Sequence, residues 1–124
     1  MLLAPSEISG VLTAAAVDIR AAVTVYSKVG SNPLVVAGLL DDATLKLAKA
    51  IPAYNNLFPL PGAASSREAI QQVADGVAQL SPTLAKGSKF IFSPVPNMTQ
   101  WADEIDGFAF NVSNKLHGPQ PMLS

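Results

Sequence analysis

The apolar residues of this chain advance in steps of four and three along several long stretches, and this rhythm constrains the fold more than any other feature. Ile8, Leu12, Ala15, Ile19, Ala22, Tyr26 and Val29 fall on one stripe of an α-helix. Ser6 is placed to cap that helix, Glu7 suits its first turn, and Gly30 is a natural stop. Asn32 followed by Pro33 opens a second helix, because a proline at the first helical position lacks an N–H that would have no partner there. Val36, Leu40, Ala43, Leu47, Ala50, Tyr54 and Leu57 repeat the same steps. Pro52 is expected to kink or end this helix near its last turn, before "FPLPG" breaks it.

In "SSRE", Ser65 and Glu68 stand at capping-box spacing and open a third helix with Ile70, Val73, Val77, Leu80 and Leu84 inward. Pro82 interrupts that stripe. Ser81 and Pro82 read either as the start of a separate fourth helix running towards Phe92 or as a kink in one long helix, and the first reading is preferred. The last helix is expected from Asn97, with Gln100 completing another capping box and Met98, Trp101, Ile105, Phe108, Val112 and Leu116 turned inward. His117, Gly118 and Pro119 end it, leaving "QPMLS" as a loose tail. No long alternation and no hairpin dipeptide marks a strand. The expected fold is all-α: an up-down antiparallel bundle of four to five helices with room for an elongated apolar cavity, a single domain over residues 1–124 with an ordered core over 6–118.

Composition narrows the function classes. With no cysteine, the chain has no disulfide, thiolate metal site or cysteine nucleophile. Eight basic against nine acidic side chains give a net charge of −1 with no block of one sign, so the basic stripe that nucleic acid requires is missing. Only 14% of residues are charged, against a usual share of about 25%. No uninterrupted run approaches the roughly 18 apolar residues of a membrane span, and "MLLAPS" is too short for a signal peptide, so no transmembrane segment is expected.

Candidates for catalysis are sparse. The single histidine, His117, lies in a last helical turn, where an imidazolium suits the dipole. Gly-x-Ser-x-Gly, phosphate-loop and His-Glu-x-x-His patterns do not occur, and no catalytic residue is assigned. Asp103, Glu104 and Asp106, like Asp41 and Asp42, lack a calcium-loop pattern and read as solvated helix faces, so neither metal nor cofactor is expected. Asn97-Met98-Thr99 and Asn111-Val112-Ser113 are sequons that would accept N-glycans in a secretory pathway.

The apolar residues that helix packing does not absorb are more informative. Phe110 falls off the stripe of Phe108 and Val112. "NNLFPLPG" and "KFIFSPVPNM" place Phe58, Phe90, Ile91, Phe92 and Val95 in or beside proline-broken segments. Such segments either plug the end of a bundle or contact something hydrophobic, and proline lowers the entropy cost of holding them.

The registers "IRAAVTVYSKVG", "LLDDATLKLAKAI", "AIQQVADGVAQLSPTLAKGSKFI" and "MTQWADEIDGFAFNVSNKL" resemble the fungal hydrophobic surface binding protein A family, which includes Mp1-type cell-wall galactomannoproteins. The similarity runs from Ile8 to Leu116. It implies a secreted or cell-wall helical bundle that is not an enzyme and that holds fatty acids or related lipids. No serine- and threonine-rich stalk or lipid-anchor signal follows, so attachment through such an anchor is not expected.

On that basis Leu40, Leu47, Val73, Val77, Leu80, Phe90, Trp101, Ile105 and Phe108 are the expected ligand contacts, and Lys86 and Lys89 are candidates for a carboxylate head group. A 20-residue helix spans about 30 Å, comparable to a long acyl chain. Burying about sixteen methylenes contributes on the order of 12 kcal/mol gross, enough for micromolar affinity after ordering costs. Two alternatives use the same apolar loops: adsorption to solid hydrophobic surfaces with recruitment of a hydrolase, and docking on a protein partner.

Overall fold

The computed structural model describes residues 5–28, 30, 32–57, 64–86 and 95–117. They form four helices: α1 (Pro5–Tyr26), α2 (Pro33–Leu57), α3 (Ala64–Ala85) and α4 (Val95–His117). Each is antiparallel to the next in an up-down bundle. α1 packs extensively on both α2 and α4, α3 leans on α2, and the seam between α3 and α4 is the sparsest of the four.

The expected stripes are the buried faces. Ile8, Leu12, Ala15, Ile19 and Ala22 of α1, and Val36, Leu40, Ala43, Leu47, Ala50 and Tyr54 of α2, are all withdrawn from solvent. Alanine supplies more buried positions than any other residue type, and most of these alanines lie on α1, α2 and α4. A methyl side chain lets two backbones approach closely, which accounts for the close α1–α2 and α1–α4 seams. Among its described side chains α3 buries Ile70, Val73, Val77, Leu80 and Leu84 but only one alanine, Ala74, and its seam with α4 is the sparse one.

Polar contacts fasten the α1 side. Lys46 Nζ meets Asp18 Oδ2 at 2.5 Å between α2 and α1. Arg20 Nη2 lies between Asp103 Oδ1 at 2.9 Å and Asp106 Oδ2 at 2.7 Å on α4. Hydrogen bonding to Asp106 and then to Asp103 raises the Arg20 pKa above its ordinary value. Ser9 Oγ donates to Ala109 O at 3.3 Å near the other end of the same seam.

Several boundaries differ from those expected. α1 ends at Tyr26 rather than running to Gly30. Its exit tightens from Ser27 N–H donating to Val23 O to Lys28 N–H donating to Val25 O. Gly30, with φ of 75°, sits in the connection itself, where glycine tolerates the left-handed region. α2 opens as expected: the Leu34 N–H donates to Asn32 Oδ1 at 2.9 Å, and Asn32 O accepts from Val35 and Val36.

Neither internal proline breaks its helix. α2 continues through Pro52 to Leu57, and α3 continues through Pro82 to Ala85, so no separate helix begins at Ser81. A proline removes one intrahelical bond, but buried Ile51, Ala53 and Tyr54, and Leu80 and Leu84, keep both sides of each break on the core. Ser81, only 2% exposed, donates to Ala37 O at 3.0 Å and also contacts Asp41 Oδ1, tying α3 to α2 beside its own proline. Asp41 is therefore more than a solvated acid.

α4 begins at Val95, which places Asn97 inside the first turn rather than at a cap. Pro96 is tolerated there because first-turn N–H groups have no intrahelical acceptor. α1 and α3 likewise start one residue ahead of the expected caps at Ser6 and Ser65. The Ser65 side chain lies outside the described residues.

By length and composition α1 is apolar enough to cross a membrane: Ser6–Tyr26 reaches a mean hydropathy of 1.6. This differs from the expectation drawn from uninterrupted apolar runs, since glycine, serine and threonine punctuate the helix without making it strongly polar. In the bundle its Asp18 and Arg20 pair with α2 and α4.

Candidate functional site

Most of the anticipated ligand contacts converge. Leu40 and Leu47 from α2, Val73, Val77 and Leu80 from α3, and Ile105 and Phe108 from α4 belong to one buried cluster, with Trp101 packed partly exposed against it. They are therefore the bundle core, arranged around the α2–α3–α4 side. Phe108 meets Tyr54 edge to face, with ring centroids 5.8 Å apart at 69°.

Trp101 closes the sparse α3–α4 seam. A Cβ added at Gly76 of α3 would lie 2.7 Å from Trp101 Cζ2 and 3.1 Å from Cε2. The indole therefore rests directly on the α3 backbone, and only glycine leaves room for it. Sequence reading placed Trp101 on the inward stripe but missed Gly76, because an isolated helical glycine looks like nothing more than a weak point.

Lys86 is exposed just past the end of α3, where its N–H donates to Pro82 O at 3.1 Å. Lys89, Phe90, Ile91 and Phe92 lie outside the described residues, as do Phe58 and Val29. The side chains of Leu116 and His117 do too. Asn97 and Asn111 are both exposed on α4. Phe110, off the stripe, is 65% exposed, and Leu34 and Val35 are exposed in the first turn of α2.

No group of three or more His, Asp or Glu side chains able to hold a metal occurs among the described residues. Asp103 and Asp106 instead face Arg20. Asn55 Oδ1, near the end of α2, is buried without a hydrogen-bond partner among the described residues.

A concavity that sequence reading did not anticipate lies between α2 and α3. Its volume is about 300 Å³. α2 contributes Thr44, Ala48, Ile51 and Pro52; α3 contributes Gln71, Ala74, Asp75 and Ala78. A signal for it is present in the sequence, since both internal prolines follow an alanine by four residues: Ala48 before Pro52 and Ala78 before Pro82.

Comparison of the chain with models of known protein families, with curated proteins and with solved structures finds no match in any of the three.

Proposed function

We propose that this chain is a non-catalytic binding protein that takes up fatty acids or related lipids in the apolar interior of its bundle, and that it works outside the cell or in the cell wall. The observation that carries this reading is the unequal closure of the bundle. Three seams are close, whereas the fourth is sparse and covered by one indole seated on a glycine, and the two helices that meet there bring Val73, Val77, Leu80, Ile105 and Phe108 to the core. Parting α3 from α4 exposes apolar side chains while leaving the ion pairs of α1 intact, so an acyl chain enters at the smallest cost in polar contacts. The resemblance of the helix registers to the hydrophobic surface binding protein A family supports the same reading and makes membership of that family part of the proposal.

Native mass spectrometry of the purified protein, followed by extraction and identification of any bound molecule, tests it. Retained fatty acid at near-integral stoichiometry, or uptake of added oleate with a change in Trp101 emission, is the expected result. A clean unliganded mass together with no uptake of oleate or arachidonate overturns the proposal.

Exposed Leu34 and Val35 favour one further reading. They lie at the end of the bundle where α3 finishes and α4 starts, and they add apolar surface there. Adsorption to a solid hydrophobic surface is the corresponding function. It is told apart by uptake that scales with surface area instead of saturating at one or two molecules.

A further inference from the structure

The groove between α2 and α3 has a distinct hydrogen-bonding character. Its walls are apolar, with Ala48, Ile51 and Pro52 on one side and Ala74 and Ala78 on the other. Its side-chain donors are largely engaged: Thr44 Oγ1 donates to Leu40 O at 2.8 Å, and the Gln71 amide donates to Asp75 Oδ1 at 2.9 Å. Its acceptors are in surplus. Proline at 52 withdraws the backbone N–H that an unbroken helix would offer to the carbonyl of Ala48, and proline at 82 does the same to Ala78.

Both alanines line this one groove, so two lining residues carry carbonyls that lack their usual i+4 donor. Asp75 is the one charged side chain in the lining, and none of the ion pairs among the described residues neutralises it. Its volume of about 300 Å³ matches the lower end of small-molecule sites.

We infer that this groove binds a small organic cation with N–H donors and an apolar body, an alkyl- or arylalkylammonium. The ammonium group supplies what the site lacks: positive charge for Asp75 and an N–H donor for the Ala48 carbonyl at the Pro52 end of the groove. Its hydrocarbon body lies against Ala48, Ile51, Pro52 and Ala74. A carboxylate meets chiefly acceptors and a like charge here, so the site is separate from the lipid reading and stands or falls without it.

The test is a two-dimensional amide NMR titration of the full chain with phenethylammonium, alongside neutral phenethyl alcohol and anionic hydrocinnamate. Saturable shifts are expected at the amides of Ala48, Ile51, Ala74, Asp75 and Ala78, with a dissociation constant of about 1 mM or tighter. Asp75→Asn, at an exposed position, should weaken the ammonium about fivefold or more, and the neutral alcohol should bind the native chain weaker by a similar factor. The inference is overturned if the alcohol binds as tightly as the ammonium, if saturable shifts are absent or map elsewhere, or if Asp75→Asn leaves the affinity unchanged.

Discussion

The two sides of the bundle are built on different principles. Around α1, small side chains bring three helices together, and polar contacts fix their register: Asp18 with Lys46, Arg20 with Asp103 and Asp106, Ser9 with Ala109. Around α3 the contacts are larger, fewer and almost wholly apolar; Ser81 holds it to α2, and an indole on Gly76 joins it to α4. A single four-helix core thus combines a densely tied half with a sparsely tied one, and the division runs where alanine gives way to leucine, valine and tryptophan.

The sharpest way to break this comparison is to cut the core on each side. Leu12→Ala, at a position wholly buried beneath α1, should cost roughly 2–5 kcal/mol in urea denaturation. Leu80→Ala, at a position 9% exposed beside the sparse seam, should fall at the lower end of that span, because neighbours there can settle into the space. Equal losses would mean that the two halves are equally rigid.

Gly76→Ala probes the seam itself. Helix propensity alone would favour alanine by about 0.8–1 kcal/mol, whereas displacing a ring that sits 2.7 Å from the new Cβ costs roughly 1–3 kcal/mol. A net loss on the order of 1 kcal/mol with red-shifted Trp101 emission is expected. A rise in melting temperature would show that the indole moves aside freely.

The polar ties should matter less. Ser81→Ala should cost about 1 kcal/mol, the usual loss of a buried hydrogen bond, and should loosen α3 from α2 as read by amide exchange. Unchanged exchange in α3 would remove Ser81 from the account. Arg20→Ala should cost about 0.2–1 kcal/mol and become silent in molar salt, since its ion pairs are exposed. With its pKa raised, Arg20 stays charged until far into alkali. Stability owed to that charge is present below its ordinary value and lost only as pH rises through the elevated one, so thermal melts across neutral and mildly alkaline pH should show no loss from this source.

Much of the architecture was legible in residue spacing. The stripes through Leu12, Leu47, Val77 and Ile105 determine helix type and the buried face, because burial demands that period whatever the neighbours are. The helix ends were less legible: Gly30 and Asn97 carry stop and start chemistry, but α1 stops before Gly30 and α4 begins before Asn97. Pro82 was misleading for a physical reason: its local penalty is offset by buried Leu80 and Leu84 on either side, a support that is a property of the assembled core, whereas α2 passes Pro52 and ends at Leu57, where its stripe also ends.

The candidate ligand contacts were found as core positions, since one period marks both roles. The closeness of Gly76 to Trp101 depends on the rotation and spacing of two helices, which no single stripe encodes. The groove between α2 and α3 required pairing two alanine–proline spacings across an antiparallel seam.

The bond from Ser9 to Ala109 spans 100 residues of chain, which bears on the order of assembly. α1 and α2 are joined by a short link, as the ends at Tyr26 and Pro33 show, so their seam closes over a small loop. The α1–α4 seam closes over a far longer one, an added entropic cost of roughly 2 kcal/mol before its contacts are gained. The nearest helix in sequence to α4 is α3, a far weaker partner than α1, so local docking contributes little to holding α4 in place. Most of what holds α4 therefore waits on the closure of that long loop, while the seam proposed for ligand entry lies between neighbours in sequence and adds little to it.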